Sequence, residues 1–184
     1  QVGNDDAAEY AANIRTTATR LLDTVSKERD IVDVIRKDLA LSRIDLVDVI
    51  ERRIETLGST APEVTMETSL PDSAPVTALT QIDRAVEELL ENAVEHNDRA
   101  EPSLRIAVEG DDTHYRLEIS DDGPPIPEEE VGVLTAADVQ PLYHGSGLGL
   151  WLVNWIVEES DGRLSFETND PRGNTVTVWL PTAN

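Results

Sequence analysis

Three short stretches of this 184-residue chain hold side chains whose types and spacing could do chemistry. The first is "HGSGLGLWLVNWIVEE", His144 to Glu159, in which Gly145, Gly147 and Gly149 alternate immediately before an apolar run. Free N–H groups and the positive end of a dipole at a helix start suit a phosphate, and glycines let the backbone come close to it. The same pattern also fits a plain tight turn that feeds a buried helix. The second stretch is "ELLENAVEH", where Glu88, Asn92 and His96 recur every fourth residue and so share one helix face. A carboxylate and an amide oxygen one turn apart suit a hard cation, although such residues also make an ordinary solvated face. The third is "EISDDGPPIP", a strand that runs into Asp121, Asp122 and Gly123. An acid there can accept a hydrogen bond from an exocyclic amine, and a glycine leaves room for a flat ring. A type I turn uses the same residues.

Other phosphate loops do not fit. The dinucleotide fingerprint requires glycine where Leu150 stands, and a P-loop requires a Gly-Lys-Ser/Thr run that is missing here. Protein-kinase signatures with their strand lysine are also absent. No Lys or Arg occurs between Arg116 and Arg163. A phosphate site in this region would rely on backbone dipoles and a metal ion, Mg²⁺ by default for a triphosphate.

The elements that must position these residues follow from periodicity. Ala11, Ile14, Ala18, Leu21, Val25, Val32 and Ile35 mark a long amphipathic helix from Asp5 to about Lys37. A second helix is expected after an Asp45 cap, ending at Gly58. The extended stretch "VTMETSLP" comes next, then a helix from about Val76 to His96 that buries Leu79, Ile82, Val86, Leu89, Leu90 and Ala93. Strands are expected at "SLRIAVEG", "HYRLEIS", "RLSFET" and "NTVTVWLP", with the glycine-led helix between the second and third of these. The order is α+β: one mixed sheet with helices on one face.

Taken together and in this order, "ELLENAVEH", "DDGPPIP" and "HGSGLGLWLV" resemble the N, G1 and G2 boxes of the ATP-binding domain of sensor histidine kinases. That domain belongs to the superfamily shared with gyrase B, the heat-shock 90 chaperones and the mismatch-repair ATPase MutL. The resemblance spans about Ser42 to Pro181. It implies a two-layer α/β sandwich of the Bergerat type for residues 42–184, with residues 1–41 as the second helix of a dimerisation hairpin. It further implies Mg·ATP as the nucleotide. Asn92 would ligate Mg²⁺, Glu88 would polarise or orient the attacking group, and His96 would contact phosphate. Asp121 would read the adenine amine, with Gly123 against the ring and Ile126 beside it. Gly145, Gly147, Leu148 and Gly149 would form the phosphate-side hinge of a lid. Thr175 would help hold the adenine-reading acid and its water.

The reaction so implied is transfer of the ATP γ-phosphoryl group to a histidine. Departures from the family pattern are Pro125 in place of the second G1 glycine, and a lid of about residues 126–143 with neither phenylalanine nor a basic residue. Leu142, Tyr143 and His144 are the nearest substitutes there. The three histidines, His96, His114 and His144, all lie outside the amphipathic N-terminal region, so the acceptor is expected outside this chain. The alternatives are a nucleotide-binding signalling module without catalysis and an ATPase of the gyrase or chaperone branch. The expected partners are the histidine-bearing helices of the same kinase, a response regulator, and a second copy in a homodimer. A cytoplasmic place is implied, with any membrane contact made through segments outside this sequence.

Composition agrees and adds one expectation. The chain has no cysteine, which excludes disulfides and thiolate metal sites, and no apolar run of spanning length. Thirty-seven acids against 15 bases give a formal charge of -22, spread along the chain, which argues against nucleic-acid binding. Such a surface suits a very salty cytoplasm, because self-repulsion is screened within roughly 3 Å at 1 M salt. The melting temperature is therefore expected to climb from about 0.1 M KCl to multimolar KCl. A thermal melt series that stays flat or falls would leave the protein an ordinary acidic one.

Overall fold

The computed structural model describes residues 39–126 and 147–183. The expected helix from Asp5 to Lys37 lies outside these residues, as do Gly145 and the substitutes Leu142, Tyr143 and His144. In chain order the elements are β1 (Leu41–Asp45), α1 (Leu46–Thr60), β2 (Thr65–Ser69), β3 (Pro75–Leu79) and α2 (Ile82–Glu95). β4 (Ser103–Gly110), β5 (His114–Asp121), α3 (Gly147–Glu158), β6 (Arg163–Thr168) and β7 (Asn174–Pro181) follow.

Five strands form a mixed sheet in the order β2-β4-β5-β7-β6. β2 pairs parallel to β4, and the other three pairings are antiparallel. Alternation places Leu104, Ile106, Val108, Leu117, Ile119, Val176, Val178 and Leu180 on the buried face. Against it lie α2 and α3, whose Ile82, Val86, Leu89, Leu152, Val153 and Ile156 complete the core, with α1 packed on α2. The α+β sandwich expected from the sequence is present.

Two expectations need correction. The helix does not begin at Val76. Pro75–Leu79 is a strand paired antiparallel with β1 in a separate two-stranded sheet, so the molecule does not have a single sheet. Leu79 is buried as expected, but from β3. The β-branched pair Val76–Thr77 after a proline favours an extended chain, and it satisfies the backbone of β1, whose partner is distant in sequence. The small sheet is tied down by a bridge between Val76 and Thr182 and by Leu79 N–H donating to the buried Ser160 hydroxyl at 3.0 Å.

The second correction concerns Gly58, which does not end its helix. α1 runs on to Thr60, where Ala61 N–H caps Leu57 O. The Ser59 and Thr60 hydroxyls bond back to the carbonyls of Glu55 and Thr56, so the last turn is held without a left-handed glycine.

At its other end the cap is as expected: the Asp45 carboxylate accepts from Val47 N, and also from Ala74 N and Ser73 Oγ. Burial acts to raise the Asp45 pKa, but the bonds from Ser73, Ala74 and Val47, with Arg43 nearby, hold it below the ordinary carboxylate value. Its stabilisation is therefore present above about pH 4 and lost as pH falls through the lowered pKa. Asp45→Ala should cost about 1–2 kcal/mol at neutral pH, read by denaturant unfolding. An unchanged midpoint would show that the three bonds contribute nothing net.

Candidate functional site

α2 and the end of β5 face each other across a cavity of about 460 Å³. Its helical wall carries Leu89, Asn92, Ala93 and His96, and its sheet wall carries Ile119, Asp121, Asn174 and Val176. Leu150 of α3 and the turn residues Pro124, Pro125 and Ile126 complete it. This is a mostly apolar slot of ligand size with a few convergent polar groups. Asn92, His96, Asp121 and Ile126, singled out in the sequence, meet here.

The two aspartates at the strand end are in different environments. Asp122 accepts from Asn97 Nδ2 at 2.9 Å and Ser103 N at 3.0 Å, and pairs with Arg99. Burial works to raise its pKa, but those bonds and Arg99 leave it lowered. Its bonding capacity is spent on fixing the turn. For half-buried Asp121, burial prevails over the bonds from Gly123 N and Asn174, and its pKa is raised. Gly123 N donates to Asp121 Oδ1 at 2.8 Å, and a side chain on Gly123 would meet that oxygen at 3.0 Å.

Asn174 is the residue that the sequence reading missed. Its Nδ2 donates to Asp121 Oδ1 at 3.1 Å and to Pro124 O at 2.8 Å, while its Oδ1 accepts from Ile126 N at 2.9 Å. The expectation placed Thr175 in this role. Thr175 instead bonds Ser120 Oγ at 2.8 Å and Asn169 Oδ1 at 3.0 Å, and it is absent from the cavity wall. Successive strand residues face opposite ways, and Asp121 is registered with Asn174, so Thr175 points to the other face. An adjacent amide beside the expected threonine was the available signal. Arg172 also went unmarked; its Nε donates to Gly123 O at 3.0 Å and its guanidinium pairs with Asp98, tying the β6–β7 turn to the end of α2.

Glu88 is not on a solvated face. It is 2 % exposed, sits behind the cavity wall and is held by Arg84. Gly147 and Leu148 open α3, and Gly149 follows in its first turn. A Cβ at Gly149 would lie 2.5 Å from Glu88 Oε2 and 3.5 Å from Asn92 Nδ2, so a side chain there would have to displace the Glu88 carboxylate. Glu88 Oε2 and Asn92 Nδ2 are buried and have no hydrogen-bond partner among the described residues. Buried polar groups left open in this way call for a ligand or water. The open Glu88 oxygen suits a hard cation at the site's edge, whereas the open Asn92 nitrogen is a donor, so Asn92 could ligate only through its Oδ1. Among the described residues no cluster of three or more His, Asp or Glu forms a metal centre.

On α3, Trp151 and Trp155 are both half-buried and packed against the core. No helix among the described residues is long and apolar enough to cross a membrane.

Residues 77–184 match the family described as Histidine kinase-, DNA gyrase B-, and HSP90-like ATPase. The signal transduction histidine-protein kinase/phosphatase MprB of Mycobacterium sp. (strain KMS) is 30% identical over 158 residues, covering 79% of this chain and 30% of that protein. The circadian input-output histidine kinase CikA of Synechococcus elongatus is 35% identical over 100 residues, covering 50% of this chain and 13% of that protein. The chain thus spans less than a third of the length of these relatives. Among solved structures, the mycobacterial sensor histidine kinase MprB aligns with TM-score 0.64 and 25% identity, covering 77% of this chain and 97% of that one. The catalytic domain of histidine kinase ThkA shares the fold, with TM-score 0.66 and 22% identity over 77% of this chain and 97% of that one.

The raised Asp121 pKa has a consequence for a purine in the slot. A carboxylate accepts strongly from an exocyclic amine, and its protonated form is left with a weaker carbonyl acceptor. Because burial lifts the pKa, protonation begins above the ordinary value of about 4, and adenosine affinity should decline as pH is lowered from 7 towards 4.5. Calorimetric titration with adenosine, which carries no phosphate, measures this. The decline should vanish in Asp121→Asn, and equal decline in that variant would assign it to another group.

Proposed function

Since the chain belongs to the histidine kinase-, DNA gyrase B- and HSP90-like ATPase family, as the catalytic ATP-binding domain found in sensor histidine kinases, we propose that it transfers the γ-phosphoryl group of Mg·ATP to a histidine outside this chain. The observation that carries this reading is the pairing of two half-sites across one cavity. Asp121 stands at one end, and Asn92, backed by the unpartnered Glu88 oxygen, stands at the other.

In this reading Asp121 accepts from the adenine amine while Leu89, Ile119, Val176 and Leu150 exclude water from the ring. Asn92 holds the metal and His96 contacts the phosphates. The N–H groups at the start of α3 stabilise phosphate charge, with Gly145, Gly147, Leu148 and Gly149 as the hinge. When bound, Mg²⁺ neutralises charge on the triphosphate, which no arginine or lysine on the cavity wall does. Glu88 orients or polarises the attacking imidazole. The imidazole nitrogen forms the N–P bond as the bond from the γ-phosphorus to the bridging oxygen breaks, and ADP departs. Positioning and charge neutralisation supply most of the acceleration. Of this chain's histidines, His96 lines the cavity and His114 sits at the start of β5 beside Thr113. Neither is presented for in-line attack.

We propose further that residues 1–41 complete a histidine-bearing hairpin in a homodimeric kinase that serves a response regulator. The acidic surface, in this reading, adapts the protein to a salty cytoplasm.

Labelled ATP tests the reading. The chain alone should bind nucleotide and gain no acid-labile label, while a histidine-bearing hairpin supplied in trans should gain it. Asn92→Ala should abolish Mg²⁺-dependent ATP binding, and Asp121→Ala should weaken ATP and ADP alike with or without metal. Acid-labile label on the isolated chain, or the same metal dependence in both variants, would overturn the assignment. Nucleotide binding without transfer to any hairpin would make this a signalling module instead.

A further inference from the structure

Resting on that reading and deepening it, we infer that Arg84 is a positioning residue for the transfer step. It grips Glu88 by one carboxylate oxygen and leaves the other turned towards the start of α3, beside Asn92.

A carboxylate that is 2 % exposed is unfavourable unless it is paired. The pairing comes from one turn earlier on α2, where Arg84 Nη2 engages Glu88 Oε1. Arg84 is itself held. Its Nη1 engages Glu87 Oε2, whose Oε1 is taken by Arg53 of α1, and the other arm of Arg53 takes Asp83. Arg52 stands 3.5 Å from the second oxygen of Asp83. Charges of alternating sign therefore run from the surface of α1 to Glu88. The planar guanidinium forks fix the orientation of each acid as well as its charge.

The ion pair leaves half of this buried acid unsatisfied. Here Glu88 Oε1 is spent and Oε2 is open, 2.5 Å from where a Gly149 Cβ would stand, with the open Asn92 Nδ2 close by. The ladder arrives from the side away from the cavity, since neither Arg53 nor Arg84 lines it. Arg84 thus touches no nucleotide and acts through Glu88, setting which oxygen faces the reaction.

The test uses the full chain with the hairpin in trans and reads two quantities, Mg·ATP affinity by titration and transfer rate at saturating ATP. Arg84→Met should slow transfer about 10- to 100-fold with affinity kept within about twofold. Arg84→Lys should recover part of the rate. The double variant Arg84→Met/Glu88→Gln should be no slower than Glu88→Gln alone, because both changes disable one group. Should Arg84→Met fail to fold, the same cycle is run with Arg84→Gln. Arg53→Met cuts the ladder one rung earlier and leaves Glu88 paired, so it should lower the melting temperature yet keep transfer within about threefold. Additive losses in the double variant, a parallel loss of affinity, or a rate in Arg53→Met as low as in Arg84→Met would overturn the role of Arg84. A wild-type rate in Glu88→Gln would instead overturn the role of Glu88 in the proposed function.

Discussion

The Asp121 end of the cavity depends on the β5–β7 pairing continuing to its last position, where Asp121 is registered with Asn174. That position is reachable because Gly173 precedes it. Gly173 has a φ of 111° and passes so close to Asp121 that a Cβ would lie 2.2 Å from the Asp121 carbonyl oxygen. With Asn174 seated, its two polar atoms bind three segments at once: the acid, the Pro124 carbonyl and the Ile126 N–H. A one-residue slip would turn Thr175 inward and send the amide outward. The acid would then lose its partner, and the turn leading to residue 126 would lose both of its anchors on β7. The geometry of this end thus follows from strand register.

The opposite end depends on charge. A chain with 37 acids and 15 bases cannot neutralise every carboxylate, and the described arginines at this end are gathered where burial makes pairing necessary. Arg53 and Arg84 are three-quarters buried in a ladder with Asp83, Glu87 and Glu88. Such pairs contribute less to stability than their number suggests, because desolvation offsets the attraction. Breaking one is costly nonetheless, since it leaves a buried charge alone. The ladder therefore constrains geometry more than it adds stability. It sets α1 against α2, and its last rung, Arg84, holds the one acid that lies behind the cavity.

Much of this was legible because local chemistry and tertiary context agree. The strands "SLRIAVEG", "RLSFET" and "NTVTVWLP" occupy β4, β6 and β7 to the residue, since alternation and turn residues bound them on both sides. The Asp45 cap was visible because an N-cap needs only its own neighbours. The two-stranded sheet was not, because β1 and β3 are partnered across the whole of α1 and β2, and the apolar spacing of Val76 to Ile82 also suits a helix. The parallel pairing of β2 with β4 was equally hidden, as its crossover includes β3 and α2. At the site, Asp121, Asn92 and His96 were readable as residue types at a spacing. Asn174 required register, and the burial of Glu88 required knowing where α3 lands.

Three of the site's carboxylates show how one residue type yields different chemistry through its partners. Asp122, with an amide, a backbone N–H and an arginine all donating, has its capacity spent and its pKa lowered. Asp121 shares one oxygen between Gly123 N and Asn174, and among the described residues its second oxygen has a long 3.3 Å contact from that same amide. It keeps room to accept from a ligand, at the cost of an elevated pKa. Glu88 has one oxygen on a guanidinium and one open in a dry setting. The first acid is structural, the second keeps room for a neutral donor, and the third is gripped by its arginine beside the helix start. Exchanging any two of these environments would exchange the roles, because neither Asp nor Glu carries its role in the side chain itself. Partner geometry, supplied by a strand register at one end and an arginine ladder at the other, is what separates the acids at the two ends of the cavity.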